Sequence, residues 1–145
     1  MTLPEAALIA GLDRAGHRLT EPRRRVAELI ASQRGPFTAA DLVRDARDRR
    51  FGIGRATVFR ALDLLTELRL VERIDLPGGE HAYVPCEPVH HHHVICERCG
   101  RATEIEDCGM AAVASEVARR SGYRVASHRL ELFGTCPECQ AAEQR

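Results

Sequence analysis

Two cysteine pairs of identical spacing, Cys96-Glu97-Arg98-Cys99 and Cys136-Pro137-Glu138-Cys139, constrain this chain more than any other feature. A two-residue spacer places both sulfurs of a pair on one tight turn, and Gly100 lets the backbone double back after the first pair. Four thiolates facing one point suit tetrahedral zinc, with Zn–S distances of about 2.3 Å. The pairs lie further apart in sequence than in a compact zinc ribbon. The fold must therefore bring them together, clamping the tail onto an earlier strand. One CxxC pair also suits redox chemistry; two point to a metal. A site filled by four sulfurs has no open position for substrate, so it is structural.

At 145 residues the chain holds one medium domain or two small ones. Small domains bury little apolar surface, and a structural metal helps to hold one together. The net charge is zero and by itself names no partner. Residues 1–80 carry 14 Arg against 12 acids, and residues 81–145 carry 7 against 9, so the basic side is N-terminal. There is no Lys, so individual arginines are not read as chosen phosphate contacts on that ground alone. The N-terminus lacks a signal-peptide pattern, and no stretch is apolar for long enough to span a membrane. The expected compartment is the cytoplasm, where thiols stay reduced.

The first half reads as helices. Leu3, Ala7, Leu8 and Leu12 form one apolar stripe. Thr20 reads as an N-cap with Pro22 in the first turn, ahead of Val26, Leu29 and Ile30. Thr38 caps the next helix, with Leu42, Val43 and Ala46. After the turn Phe51–Gly54, an amphipathic helix runs from about Arg55 to Leu68. The period then changes: Leu70–Leu76, a Pro77-Gly78-Gly79 turn and Glu80–Val84 predict a β-hairpin. Helices followed by a hairpin are the layout of a winged helix-turn-helix. Further on, strands are expected at His93–Cys96 and Ala102–Glu106, a helix at Gly109–Ser121 and a last strand over Tyr123–Phe133. The expected class is α+β: an N-terminal winged helix-turn-helix domain (1–84), a hinge (85–89) and a small α/β dimerisation domain (90–145) holding the four-cysteine zinc site.

His90-His91-His92-His93 is the second constellation. The run is internal and leads directly into Val94-Ile95-Cys96, unlike an engineered tag. On an extended backbone His91 and His93 face one way, His90 and His92 the other. Each pair is a ready bidentate metal site. Imidazole suits zinc, iron, nickel and copper alike, so the remaining ligands decide. Cys86 lies just upstream; it is either a ligand, which would favour zinc over ferrous iron, or a buried thiol without a metal. Cys108, at a helix start, reads as a metal ligand, a reactive thiol or filler, with filler preferred. His17 lies among arginines and reads as a surface or DNA-facing residue, and His81 in the wing is ambiguous.

These motifs together resemble the ferric uptake regulator family of bacterial metal-dependent repressors. The matching residues are Leu19-Thr20-Glu21-Pro22-Arg23, the helix Ala56–Leu62, His90–Cys96 with Cys99-Gly100, and Gly134–Cys139. The resemblance implies a homodimer that binds palindromic operator DNA and carries regulatory metal in its second domain. It places His91 and His93 in the sensor site. Where iron, nickel and peroxide sensors usually add a His before the third helix, this chain has Pro36; where the iron and peroxide types use a carboxylate after the second wing strand, it has Val84. Zinc uptake regulators instead use a Cys near Cys86 and an acid or His near Glu72. The implied sensor set is Glu72, Cys86, His91 and His93, with Glu104 as the substitute for Glu72. The family's third site would take His90, His92, His128 and a Glu aligned with Ala111. That site is then incomplete, completed by a water or Glu106, or absent.

On the helix Arg55–Leu68, Arg55, Thr57, Phe59 and Arg60 are expected to face the major groove, where Arg pairs with guanine and Thr or Phe touches a thymine methyl. The family usually has Tyr where Phe59 stands. Arg23, with Arg24 and Arg25, is expected to clamp phosphate. The expected function is a repressor of zinc-uptake genes that binds DNA when zinc fills the sensor site; the alternative is an iron- or peroxide-responsive repressor. The chain lacks HExxH, and a sensor site with four protein ligands leaves no open position, so no enzyme activity and no small-molecule substrate are expected.

Overall fold

The computed structural model describes residues 3–87, 90–106 and 108–143. The chain divides into two compact units, 1–88 and 89–145. Of the expected hinge 85–89, Pro88 and Val89 lie outside the described residues.

The first unit packs four helices against a hairpin: α1 (Glu5–Arg14), α2 (Glu21–Ala31), α3 (Ala39–Asp48), α4 (Arg55–Glu67), β1 (Val71–Asp75) and β2 (His81–Pro85). The periodic apolar positions are the buried ones: Leu8 and Leu12 of α1, Leu29 and Ile30 of α2, Leu42 of α3, Val58 and Leu62 of α4. β1 and β2 are antiparallel, with Glu72 opposite Val84. Phe37, just before α3, bridges to Tyr83 through two backbone hydrogen bonds of 3.0 and 2.7 Å, tying the wing to the helices.

Both expected N-caps sit at their helix starts, but only one caps through its side chain. Thr38 and Asp41 form a reciprocal capping box: the Thr38 Oγ1 accepts from the Asp41 N–H at 3.1 Å, and the Asp41 carboxylate accepts from the Thr38 N–H at 2.8 Å. Thr20 makes no such bond. A cap hydroxyl reaches the N–H of the second or third helical residue; Pro22, at the second, has none, and Thr20 makes no bond to the third, Arg23. Thr38→Ala is expected to cost about 1 kcal/mol of the first unit's stability in urea titration, and Thr20→Ala much less.

The second unit has a three-stranded sheet in the order β4-β3-β5, built from β3 (His92–Cys96), β4 (Ala102–Ile105) and β5 (Glu131–Gly134). β3 runs antiparallel to β4 and parallel to β5. α5 (Met110–Ser121) lies in the connection between β4 and β5, and α6 (Pro137–Glu143) ends the unit. The last strand is shorter than the expected Tyr123–Phe133. β5 pairs with His93–Cys96 of β3, and β3 begins only one residue earlier, at His92, so residues 123–129 have no β3 residue opposite them. Among the described residues of this unit the buried apolar side chains are Ile95 and Cys96, while His91, His92 and His93 are buried with them. A unit with so small an apolar core needs another source of cohesion.

Candidate metal centres

β3 organises all the metal-binding groups of the second unit. Its pleat sends neighbouring side chains to opposite faces. His92 falls in one group with His90, Cys108 and His128, and His93 in another with His91 and Glu104. At its far end, Cys96 enters the knuckle.

Cys96, Cys99, Cys136 and Cys139 place their sulfurs within 4.8 Å of one another. A tetrahedron with Zn–S bonds of about 2.3 Å has S···S edges of about 3.8 Å. Cys99 Sγ and Cys136 Sγ are 3.7 Å apart, a fit to zinc and far beyond disulfide length. The Cys136 N–H donates to Cys96 Sγ at 3.3 Å, and this bond leads in drawing the Cys96 thiol down to about 6. Cys139 is pushed up to about 12, first by its hydrogen bond with Cys136 and then by burial. One thiolate forms readily in this cluster and another very reluctantly. A divalent cation is what lets all four ionise together. Around the knuckle, Arg101 grips Glu138 with both guanidinium nitrogens, and Arg98 holds Glu143 at 2.6 Å. Both pairs fasten α6 to the β3–β4 turn.

His91 and His93 present ring centroids 5.0 Å apart, with the Glu104 carboxylate in the same group. Burial, then the neighbouring His91 and His92 rings, hold the His93 imidazole down to about 4. It is therefore neutral near pH 7 and able to donate a lone pair to a metal. The sign follows from linkage: below its ordinary value of 6.5 the unfolded chain takes the proton more readily than the folded one. In protein that holds only its four-cysteine zinc, the second unit's stability is expected to be full above pH 6.5 and to fall toward pH 4, and His93→Gln should flatten that slope in urea titrations.

In the first unit, Glu72 on β1 and the buried Cys86 after β2 bring their ligand atoms within 4.8 Å. The antiparallel register produces this neighbourhood: Cys86 donates its N–H to the Leu70 carbonyl at 3.1 Å, alongside the first residues of β1.

The group at His90, His92 and His128 contains a residue that sequence reasoning set aside. Cys108 Sγ lies 3.7 Å from His90 Nε2 and 3.5 Å from His128 Nε2. Glu106, weighed from the sequence as a fourth ligand, is not in that group. A lone cysteine has no spacing to mark it; only the fold brings it to the histidines.

On α4, Arg55 and Arg60 are exposed, whereas Thr57 and Phe59 are half-buried. Phe59 packs partly on the core and holds the Arg55 guanidinium 5.0 Å above its ring. Thr20, Pro22, Arg23, Thr57, Arg60 and Leu64 line a groove between α2 and α4. Arg23 donates to the Arg18 carbonyl at 2.6 Å. Arg24 is exposed. Arg25 is committed elsewhere, paired with Glu21 at 2.9 Å and lying 4.6 Å over the Phe51 ring. His81, ambiguous in the sequence, sits 2.6 Å from Asp75 across the hairpin.

Comparison with known proteins adds identity to this geometry. The zinc uptake regulation protein of Mycobacterium tuberculosis (strain H37Rv) is 35% identical over 127 residues, covering 88% of this chain and 98% of that protein. The ferric uptake regulation protein of Neisseria meningitidis serogroup B is 30% identical over 138 residues, covering 94% and 96%. Among solved structures, a zinc uptake regulator complexed with zinc and DNA superposes with a TM-score of 0.82 at 28% identity, over 97% of this chain and 95% of that one. The Vibrio cholerae ferric uptake regulator superposes at 0.63 with 29% identity, over 88% and 98%. The sequence profile of the ferric uptake regulator family matches residues 14–133, and the chain belongs to that family.

Proposed function

We propose that this protein is a zinc-responsive repressor of zinc-uptake genes, binding palindromic operator DNA as a homodimer in the cytoplasm. The observation that carries the zinc reading is the buried thiol of Cys86 with the Glu72 carboxylate beside it. A thiolate and imidazoles select zinc over harder ions. In this reading Glu72 and Cys86 supply one half of the sensor site, and His91 and His93 supply the other. Zinc bound by both halves fixes one unit relative to the other and thereby sets the spacing of two α4 helices on a palindrome. The four cysteines hold a separate, structural zinc. Arg55 and Arg60 are the base-reading candidates, Thr57 and Phe59 contribute at the edge of that surface, and Arg23 positions phosphate.

The homodimer reading draws on the second unit's surface. Val113 and Val117 of α5, with Tyr123, Val125, Leu132 and Phe133, are exposed large apolar side chains there. A second copy would cover them. The match to a zinc uptake regulator in complex with zinc and DNA supports the zinc and DNA parts of the proposal.

An iron- or peroxide-responsive repressor is the alternative, favoured by one observation. His91, His93 and Glu104 gather as two imidazoles and a carboxylate, a set that suits ferrous iron. The test uses a palindromic duplex selected by the metal-loaded protein from a random pool. Mobility shifts are run with a chelator too weak to strip the four-cysteine site, then with Zn(II) or, anaerobically, Fe(II) restored. Recovery with Zn(II) alone is expected. Recovery with Fe(II) alone would overturn the zinc reading, and binding indifferent to metal would overturn regulation by metal.

A further inference from the structure

We propose that Cys108 is a metal ligand, completing with His90, His92 and His128 a site in the second unit that takes zinc or a similar borderline divalent ion. The distances between ligand atoms are those a bound ion imposes. Zinc with bonds of about 2.0–2.1 Å to nitrogen and about 2.3 Å to sulfur separates its ligands by about 3.3 Å between nitrogens and about 3.6 Å between nitrogen and sulfur. His92 Nε2 lies 3.1 Å from His90 Nε2 and 2.9 Å from His128 Nε2. Cys108 Sγ lies 3.7 and 3.5 Å from the Nε2 atoms of His90 and His128.

The tautomer of His92 is suited to ligation. Its Nδ1 lies 3.1 Å from the Leu130 carbonyl oxygen. A carbonyl only accepts, so Nδ1 carries the proton and Nε2 turns a lone pair toward the other two rings. A backbone carbonyl holding the outer nitrogen is the usual support of a metal-binding imidazole. The cluster is otherwise poorly explained. Three imidazole nitrogens and a sulfur meet at one place, and one cation satisfies them together.

The ligands come from the start of β3, the residue before the Gly109 cap of α5, and the segment leading to β5. Gly109 has a φ of 61°, in the left-handed region, where the chain turns from Cys108 into the helix. An ion here joins three parts of a unit whose buried apolar side chains are few. Four protein donors leave no open position, so the site is structural or regulatory. Sulfur in place of a carboxylate oxygen biases it against manganese and magnesium.

The test is site-resolved alkylation of the full chain with its four-cysteine zinc in place. Iodoacetamide modification is followed by mass spectrometry at Cys108 and, on a different peptide, at Cys86. Added zinc is expected to slow modification of Cys108 by at least about 100-fold, more than the loss of an outer-shell partner is worth, and His128→Ala should restore the metal-free rate. An unchanged Cys108 rate, or equal protection in His128→Ala, would overturn the proposal. Failure of the sensor reading would show separately, as Cys86 reactivity indifferent to zinc. A second measurement leaves the cluster itself intact. Cys86→Ser protein titrated with Co(II) should show a thiolate-to-cobalt charge-transfer band that Cys86→Ser/Cys108→Ser protein lacks. No band in the first protein, or a band surviving in the second, defeats the assignment.

Discussion

Cys96→Ser is expected to unfold residues 89–145 while residues 1–88 keep their helices. The two units differ in what holds them together. The first has a continuous apolar core drawn from Leu3 to Val71. The second buries Ile95 and Cys96 as its apolar side chains among the described residues, so its cohesion rests on ligands and strand pairing. Cys96 ends β3, and its sulfur accepts a hydrogen bond from the Cys136 N–H. Losing that thiolate removes a zinc ligand and the anchor of the tail at once. Structural zinc in small domains is worth roughly 10 kcal/mol or more, which exceeds what a unit of this size has to spare. Limited proteolysis mapped by mass spectrometry is the measurement. Cuts should concentrate after residue 89, and strong chelation of the wild-type protein should reproduce the pattern. A variant as resistant as the wild type would show that the four-cysteine centre does not stabilise the unit.

Cys86→Ser should leave the fold intact and erase the effect of zinc on DNA affinity. Cys86 belongs to the first unit, beside the wing, and contributes nothing to the knuckle. Allosteric couplings of this kind are typically about 1–3 kcal/mol, or about 5–150-fold in affinity. The wild-type protein is expected to bind its palindrome more tightly with zinc by a factor in that range. Cys86→Ser should bind with the metal-free affinity at every zinc level. Fluorescence anisotropy at one fixed salt concentration reads this directly, since the phosphate contribution varies steeply with salt. A Cys86→Ser protein that still responds to zinc would remove Cys86 from the sensor set and shift weight to His91, His93 and Glu104. Glu104→Ala then becomes the decisive variant.

The helices and the hairpin were legible because their signals are local. Val58, Ala61, Leu62 and Leu65 recur at helical spacing and are buried, and Pro77-Gly78-Gly79 lies between the strands of the hairpin. The knuckles were legible because two pairs of equal spacing rarely arise without a metal. Cys108 was not, because its partners lie 18 and 20 residues away and no pattern links them. Nor was α6. It spans seven residues with no apolar face and is held by Arg98 and Arg101, residues of the opposite knuckle. The length of β5 was overestimated for a related reason. Val125 looks like a strand residue, but a strand extends only as far as its neighbour, and β3, which starts at His92, has no residue opposite it. Thr20 stands at the N-cap as expected, with Pro22 removing one of the two N–H groups that its hydroxyl could reach.

β3 turns the histidine run into a counted length. Cys96, paired in the sheet and fixed in the knuckle, sets the register, so positions are measured backwards from it. Remove one histidine from the run, and positions 91, 92 and 93 stay histidine while position 90 receives the preceding Val89. The His91–His93 pair would survive intact, and the cluster around Cys108 would lose one imidazole. Add one, and both groups keep their ligands, with the extra histidine falling one position before the run. The run thus tolerates lengthening better than shortening, and shortening strikes the two metal groups in a fixed order, the one containing Cys108 first.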